Sequence, residues 1–418
     1  MLAAFPESWQ KKWEKEKFTS PSEIQTQSFK PLKEGQSAML ISPTGSGKTL
    51  AYLFPLLLNI KQGEGTQLCI VLPSQELAMQ VVKVARQWAE LLGLKVNAMI
   101  GGGNIRRQID QLKKHPEVIV GTPGRLVELM DWKKIRAVAI KAVVLDEVDD
   151  LLNGRAEANF TSQLLKKINR DTQIVAVSAT ADSLEKEAKQ WLPSQYQLID
   201  VRQTDHSQGT ITHAYIETPL RRRTELLRKL AYVENFRALV FFNQLQDLGV
   251  VADKLMYEGI PVSTLASDQS KFERQMALSQ FNEGKVKLLL TTDLAARGLD
   301  FEQLDYIVQY DVPQMPDQYI HRVGRIGRMG RDGVSIALVN DRERRNLKQV
   351  AGEVTLTPLY LYDSVLYDEP VVTEKEEVST KKQQKAVKKQ EAAKKKHKKN
   401  KKKKQKNKGA RRKGADRA

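Results

Sequence analysis

Two short apolar runs, each ending in a polar signature, constrain this chain more than any other feature. AMLI (38–41) leads into Ser42-Pro43-Thr44-Gly45-Ser46-Gly47-Lys48-Thr49, and AVVL (142–145) leads into Asp146-Glu147-Val148-Asp149. Four apolar residues bounded by polar ones read as a buried strand. Gly45 and Gly47 allow a backbone to approach phosphate, and the helix start that follows presents N–H groups to an anion. Lys48 can neutralise terminal phosphates, and the Thr49 hydroxyl can ligate Mg2+. Asp146 can hold the same metal. Glu147 lies beside it, where it can also meet the metal and position or deprotonate an attacking water. An acidic helix start is a simpler explanation of these carboxylates taken alone. Their pairing with a phosphate-cradling loop makes the two halves of a nucleotide–metal site the better reading. Ser42 stands where the general loop pattern has glycine.

The surrounding pattern supplies the architecture. Apolar runs recur in a first block (SAMLI, QLCIVLP, VIVG, KAVVLDE, QIVAVSAT) and again in a second (RALVFF, IPVSTLAS, VKLLLTTD, YIVQYDVP, VSIALVN). Longer segments with charge at helical spacing separate them, as in SQELAMQVVKVARQWAELLG (74–93). Strands alternating with helices predict parallel sheets with crossover helices, an α/β fold repeated in tandem. The polar stretch 201–215 lies between the blocks and is expected to hold the connection. The boundaries read as a first domain over 1–203, a linker over 204–212, a second domain over 213–365 and a tail over 366–418.

HRVGRIGR (321–328) lies in the second block. Arg325 and Arg328, three apart, can share one face of a helical turn. From there they can reach a γ-phosphate as arginine fingers. A plain solvated helix is the competing explanation, but Gly324 and Gly327 each disfavour helix by about 1 kcal/mol.

With these motifs in order, the chain resembles the DEAD-box ATP-dependent RNA helicases over residues 5–365. The resemblance implies two RecA-like domains, ATP and Mg2+ as cofactors, and RNA as substrate. PSEIQ (21–25) resembles the adenine-reading motif, with Gln25 on the base, Phe18 in the position that precedes it and Phe5 as the stacking aromatic. Pro73, Gly101, Gly102, Thr122, Pro123, Gly124 and Arg125 resemble RNA-backbone contacts of the first domain. Arg274 and Thr292 resemble those of the second. Ser178 and Thr180 correspond to the motif coupling hydrolysis to strand separation, Asp300 to a ribose contact, and His321 to a partner of the acidic motif that ends in Asp149. Five positions depart from the family pattern: Lys17 for glycine, Gln75 for arginine, Val148 for alanine, Lys271 for glutamine and Ile326 for threonine.

Charge adds a partner. Residues 381–418 carry 20 Lys and Arg against two acids, so the first 380 residues hold 48 of each sign and the whole net charge of +18 sits in the tail. Such a tail points to a polyanion, and without aromatics it predicts salt-dependent, sequence-tolerant binding to structured RNA. Little in it can form a core, so disorder is expected. The single Cys69 sits inside LCIVL and reads as a buried thiol, which excludes an internal disulfide and fits a reducing, cytoplasmic setting. No apolar run approaches the ~20 residues needed to span a bilayer. An RNA chaperone without ATPase activity and a DNA helicase are the rival functions; ribosome assembly is the process that the non-specific core and basic tail suggest by analogy.

Overall fold

A computed structural model describes residues 1–153, 155–179, 190–205, 209–266, 268–296, 301, 304–327 and 330–370. Two seven-stranded parallel sheets dominate it. The first holds β1 (Ala38–Ile41), β2 (Leu68–Val71), β3 (Val96–Met99), β4 (Val118–Gly121), β5 (Ala142–Asp146), β6 (Gln173–Ser178) and β7 (Gln197–Asp200), in the spatial order β3-β4-β2-β5-β6-β1-β7. The second holds β8 (Ile211–Glu217), β9 (Ala238–Phe242), β10 (Val262–Leu265), β11 (Leu288–Thr292), β12 (Tyr306–Gln309), β13 (Gly333–Val339) and β14 (Leu356–Pro358), in the order β10-β11-β9-β12-β13-β8-β14.

Alternation along each strand explains why the apolar runs have no polar gaps. In the first sheet Leu40, Ile70, Val120, Val144 and Val177 pack into one core, and Ile41, Cys69, Ile119, Val143 and Ala176 into the other. A parallel sheet covered by helices on both faces needs apolar residues at every position. Cys69 is buried as expected, and burial pushes its thiol up to about 12. The second sheet repeats the plan, with Leu239, Phe241, Leu289, Ile307 and Ala337 in one core.

The strand order sorts the motifs. At the carboxyl edge of the first sheet, β5, β6 and β1 are neighbours, so Asp146, Ser178 and Ser42 lie side by side. Strands β3, β4 and β2 carry the segments Gly101–Gly103, Thr122–Arg125 and Pro73–Glu76 on the other half of that edge. The acidic strand β5 stands where the two groups meet.

Part of the stretch expected to be a connection is a strand. Ile211–Glu217 forms β8, paired with β13 from Gly333↔Ile211 to Val339↔Glu217. Its alternation is real, with Ala214 and Ile216 buried, but His213 and Thr212 break the apolar run. Residues 206–208 of the expected linker lie outside the described residues.

Met1–Pro358 forms one compact unit, and Leu359 begins a second. The described part of the second is an antiparallel hairpin, β15 (Tyr360–Tyr362) with β16 (Val365–Tyr367). Most of the expected tail, 371–418, lies outside the described residues. Among the described residues, no helix is long and apolar enough to cross a membrane.

Val148, the irregular residue of the acidic motif, is fully buried with Leu145, Leu151 and Met39. Two methyl groups occupy a packed site there. Val148→Ala should therefore cost about 2 kcal/mol in denaturant unfolding, by lost burial plus a small cavity, with RNA-dependent ATPase activity retained in the folded variant. Loss of activity in a folded variant would give the valine a part in the mechanism.

Candidate active site

The phosphate loop is built on two left-handed glycines, Gly45 (φ 84°) and Gly47 (φ 87°). Gly47 answers a second constraint. A Cβ there would fall 2.4 Å from Gln25 Nε2, and the same amide donates to the Gly47 carbonyl at 3.3 Å. Gln25 is thus fastened to the loop, with its Oε1 accepting from the Ser22 N–H at 3.1 Å. Ser42 needs no left-handed backbone, and its buried hydroxyl bonds Ser46 Oγ. A serine can therefore stand at this position. Lys48 Nζ donates to the carbonyls of Ser42 (2.9 Å) and Pro43 (3.0 Å) at the start of the helix Lys48–Leu57.

At the end of β5, both oxygens of Asp146 are held. Oδ1 accepts from the Glu147 N–H at 3.0 Å, and Oδ2 from the Tyr52 hydroxyl at 2.9 Å. Burial, followed by the neighbouring Glu147 charge, pushes the Asp146 carboxyl up to about 7 against the opposing effects of Tyr52 and Lys48. A buried carboxylate beside a half-buried one is a donor set suited to a hard divalent cation, whose charge would reverse that cost. Glu147 itself has φ 51°, a left-handed conformation that is costly for a side chain with a Cβ. The strain lies at the residue expected to handle the attacking water.

Asp149 joins the two sheets. Its Oδ1 accepts from Ser178 Oγ at 3.1 Å, at the end of β6, and its Oδ2 lies 2.8 Å from His321 Nε2, on the helix Pro316–Val323. The second contact is a buried ion pair at that distance. Burial alone would lower the imidazole pKa. The Asp149 carboxylate, with Glu147 and Asp150 behind it, overcomes this and raises it to about 9. Burial likewise opposes the Asp149 charge, and the contact with His321 holds its carboxyl below the usual range. A second point of approach lies beside it: a Cβ on Gly324 would fall 2.1 Å from Thr44 Oγ1, so the phosphate loop and the HRVGR turn touch. Arg325 Nε bonds the His321 carbonyl at 3.1 Å. Thr180, Asp300 and Arg328 lie outside the described residues.

Sequence reading missed two side chains that build this site. Tyr52 reads as a core residue of an apolar helix, yet it anchors Asp146. Arg322, 1% exposed, bonds both oxygens of Asp293 (2.6 and 2.8 Å), the Asp311 carbonyl (2.7 Å) and Asn243 Oδ1 (2.7 Å). It ties three strand ends of the second sheet to the helix that carries His321. Its place between His321 and Arg325 was the available signal.

Phe5 requires a correction. It is 4% exposed, with its ring edge-on to Trp9 at 5.1 Å and tilted against Phe54 at 4.8 Å. Trp13 and Phe29 also lie beside it, at 6.0 and 6.2 Å, so the ring is packed inside an aromatic core and is not open to a base. Phe18 remains half-buried beside Trp13 at 4.9 Å. The residue before it, Lys17, keeps φ 57°, the left-handed geometry for which a glycine suits the position.

Away from the phosphate loop, the remaining motif residues line a rim. The Gly101 N–H donates to Thr122 Oγ1 at 3.4 Å. Arg125 bonds Glu128 (2.9 Å) and the Gly103 carbonyl (3.4 Å), at the start of a helix in which Pro123 is buried and beside Gly124. Pro73 is half-buried at the end of β2, and Thr292 closes β11. Arg274 of the second sheet's domain lies 3.6 Å from Glu76 of the first.

Residues 22–188 match the DEAD/DEAH box helicase family, and 220–330 match the helicase conserved C-terminal domain. The probable ATP-dependent RNA helicase YfmL of Bacillus subtilis is 37% identical over 343 residues, covering 82% of this chain and 91% of that protein. The chain belongs to the DEAD-box family. CshC of Bacillus cereus, a DEAD-box ATP-dependent RNA helicase, is 35% identical over 82% of this chain and 88% of its own. Dbp5 of Saccharomyces cerevisiae, solved bound to RNA and ADP BeF3, superposes with a TM-score of 0.76 at 28% identity over 85% of this chain and 94% of that one. The helicase is thus an RNA-dependent ATPase built on tandem RecA-like domains.

The His321–Asp149 pair gives a pH dependence of known sign. A histidine whose folded pKa is raised stabilises the fold fully below its unfolded value, near 6.5, and loses that contribution as pH rises through about 9. In metal- and nucleotide-free protein, the thermal midpoint should fall more steeply between about pH 6.5 and 9 in the wild type than in His321→Gln. Parallel curves would mean that the pair carries no stability.

Proposed function

We propose that this ATP-dependent RNA helicase closes its two RecA-like domains around ATP and RNA, with Asp149 as the part that links hydrolysis to closure. The observation that supports this is one buried carboxylate shared between Ser178 and His321, one oxygen each. In this reading Gln25 and Phe18 select adenine, Ser42–Thr49 hold the phosphates, and Arg325 with Arg328 reach the γ-phosphate from the second domain. Thr49, Asp146 and Glu147 would hold Mg2+, which supplies charge neutralisation on the phosphate oxygens when bound. Glu147 accepts the proton of the attacking water, and Asp300 contacts the ribose. The hydrogen bonds to both oxygens of Asp146 keep that carboxylate from turning away.

RNA crosses the rim of Gly101, Gly102 and Thr122–Arg125 and continues past Arg274 and Thr292. Contacts of this kind go to the sugar–phosphate backbone and carry little sequence information. Ser178 and Thr180 transmit the state of the nucleotide to that surface through Asp149. Domain limits at 1–203 and 213–365, joined by 204–212, complete the arrangement, and the lysine-rich segment within 366–418 tethers the enzyme to structured RNA. Ribosomal RNA in a bacterial cytoplasm, during ribosome assembly, is the setting that a non-specific core with a basic tail and bacterial relatives supports.

Glu147→Gln should lower RNA-stimulated ATP hydrolysis by at least about 100-fold, the usual worth of a positioned general base, with nucleotide binding kept. An unstimulated wild type would contradict the reading. Removal of 374–418 should weaken RNA binding and flatten its dependence on salt, with nucleotide affinity unchanged. If nucleotide binding disappeared with the tail, the domain limit would be wrong.

A further inference from the structure

The family position for an RNA-gripping arginine holds the neutral Gln75. Its side chain is exposed and lies over the glycine loop: a Cβ on Gly102 would come within 3.3 Å of Gln75 Nε2. That loop runs directly into Asn104, whose side chain caps the helix Ile105–Leu112 by accepting from the Arg107 N–H at 3.2 Å. Arg106 and Arg107 occupy the first turn of this helix, and both are exposed. Two cations therefore stand at the far end of the loop that Gln75 covers.

Charge balance on the rim sets these two apart. Glu76 faces Arg274 at 3.6 Å, Glu128 faces Arg125 at 2.9 Å and Asp110 faces Lys113 at 2.8 Å. Each of these acids is matched by a base, so three bases are already engaged. Neither Arg106 nor Arg107 has an ion-pair partner among the described residues. Cations are unfavourable in the first turn of a helix, where the dipole is positive, unless an anion is to be met there. An arginine in that place combines with the helix N–H groups to favour phosphate.

We propose that Arg106 and Arg107 bind the RNA backbone and supply the positive charge that Gln75 does not. This rests on the reading that RNA crosses the rim of Gly101–Gly102 and Thr122–Arg125. The grip is moved along the loop, from the start of one helix to the start of the next, and the rim keeps its affinity for phosphate without a cation at 75. Base identity plays no part, because both guanidinium groups meet the backbone.

The test measures RNA-stimulated ATPase activity of the full chain against the concentration of an oligouridylate. Arg106→Ala/Arg107→Ala should raise the half-activating RNA concentration about tenfold, the equivalent of two modest charge-assisted contacts, with the loss falling there rather than in the rate at saturating RNA. The dependence of log affinity on log salt should become shallower by about 1.4, at about 0.7 for each single-strand phosphate contact. Adding Gln75→Arg to the double variant should restore most of the affinity. Arg125→Ala serves as the reference. If Arg125→Ala weakens activation and the double variant does not, the proposal fails and the path across the rim stands. If neither weakens it, the path itself is wrong and the proposal falls with it. Failure of Gln75→Arg to restore affinity would refute the exchange of roles between the two positions.

Discussion

The rest of this helicase is arranged around one carboxylate. Asp149 divides its two oxygens between Ser178, at the end of a strand in its own sheet, and His321, on a helix of the other sheet's domain. A buried charge with one partner removed is costly, typically 3–5 kcal/mol, so the pair resists half-measures. Either both domains meet at Asp149 or the carboxylate finds water. That all-or-none quality suits the proposed closure around ATP and RNA.

Rigid supports surround that contact. Arg322 is buried and has four described hydrogen bonds to Asp293, Asp311 and Asn243, so the helix bearing His321 is fixed to the ends of β9, β11 and β12. Tyr52 and the Glu147 N–H fix Asp146 on the other side. The strand order β5-β6-β1 then places Asp146, Ser178 and the loop Ser42–Thr49 in a row. Strands β3, β4 and β2 carry the rim on the opposite half of the same edge. Sheet topology sets the acidic motif between the loop Ser42–Thr49 and the rim proposed to carry RNA.

Much of this was legible in the sequence, for a physical reason. Strands buried on both faces must be apolar throughout, so β1, β2, β4, β5 and β6 read as runs, and the motifs at their ends inherited reliable positions. Strands with one wet face were missed. β7 has a single buried residue, Ile199, and β8 alternates behind polar residues. Phe5 was misplaced because an aromatic near a base site and an aromatic in a core look the same in one dimension; only the rings of Trp9 and Phe54 distinguish them. Arg322 and Tyr52 escaped because a buried polar side chain is defined by partners remote in sequence. The departures at Ser42 and Val148 are absorbed locally, by a hydroxyl contact and a packed core, whereas Lys17 keeps a left-handed backbone that suits a glycine.

The central claim is that Asp149 and His321 couple the two ligands. The direct measurement is the affinity of a non-hydrolysable ATP analogue with and without saturating RNA, in the wild type and in His321→Ala, along with the reciprocal RNA affinities. The wild type should show the same enhancement in both directions, as linkage requires, and the variant should lose most of that factor while each ligand alone still binds. An enhancement undiminished in His321→Ala would contradict the account.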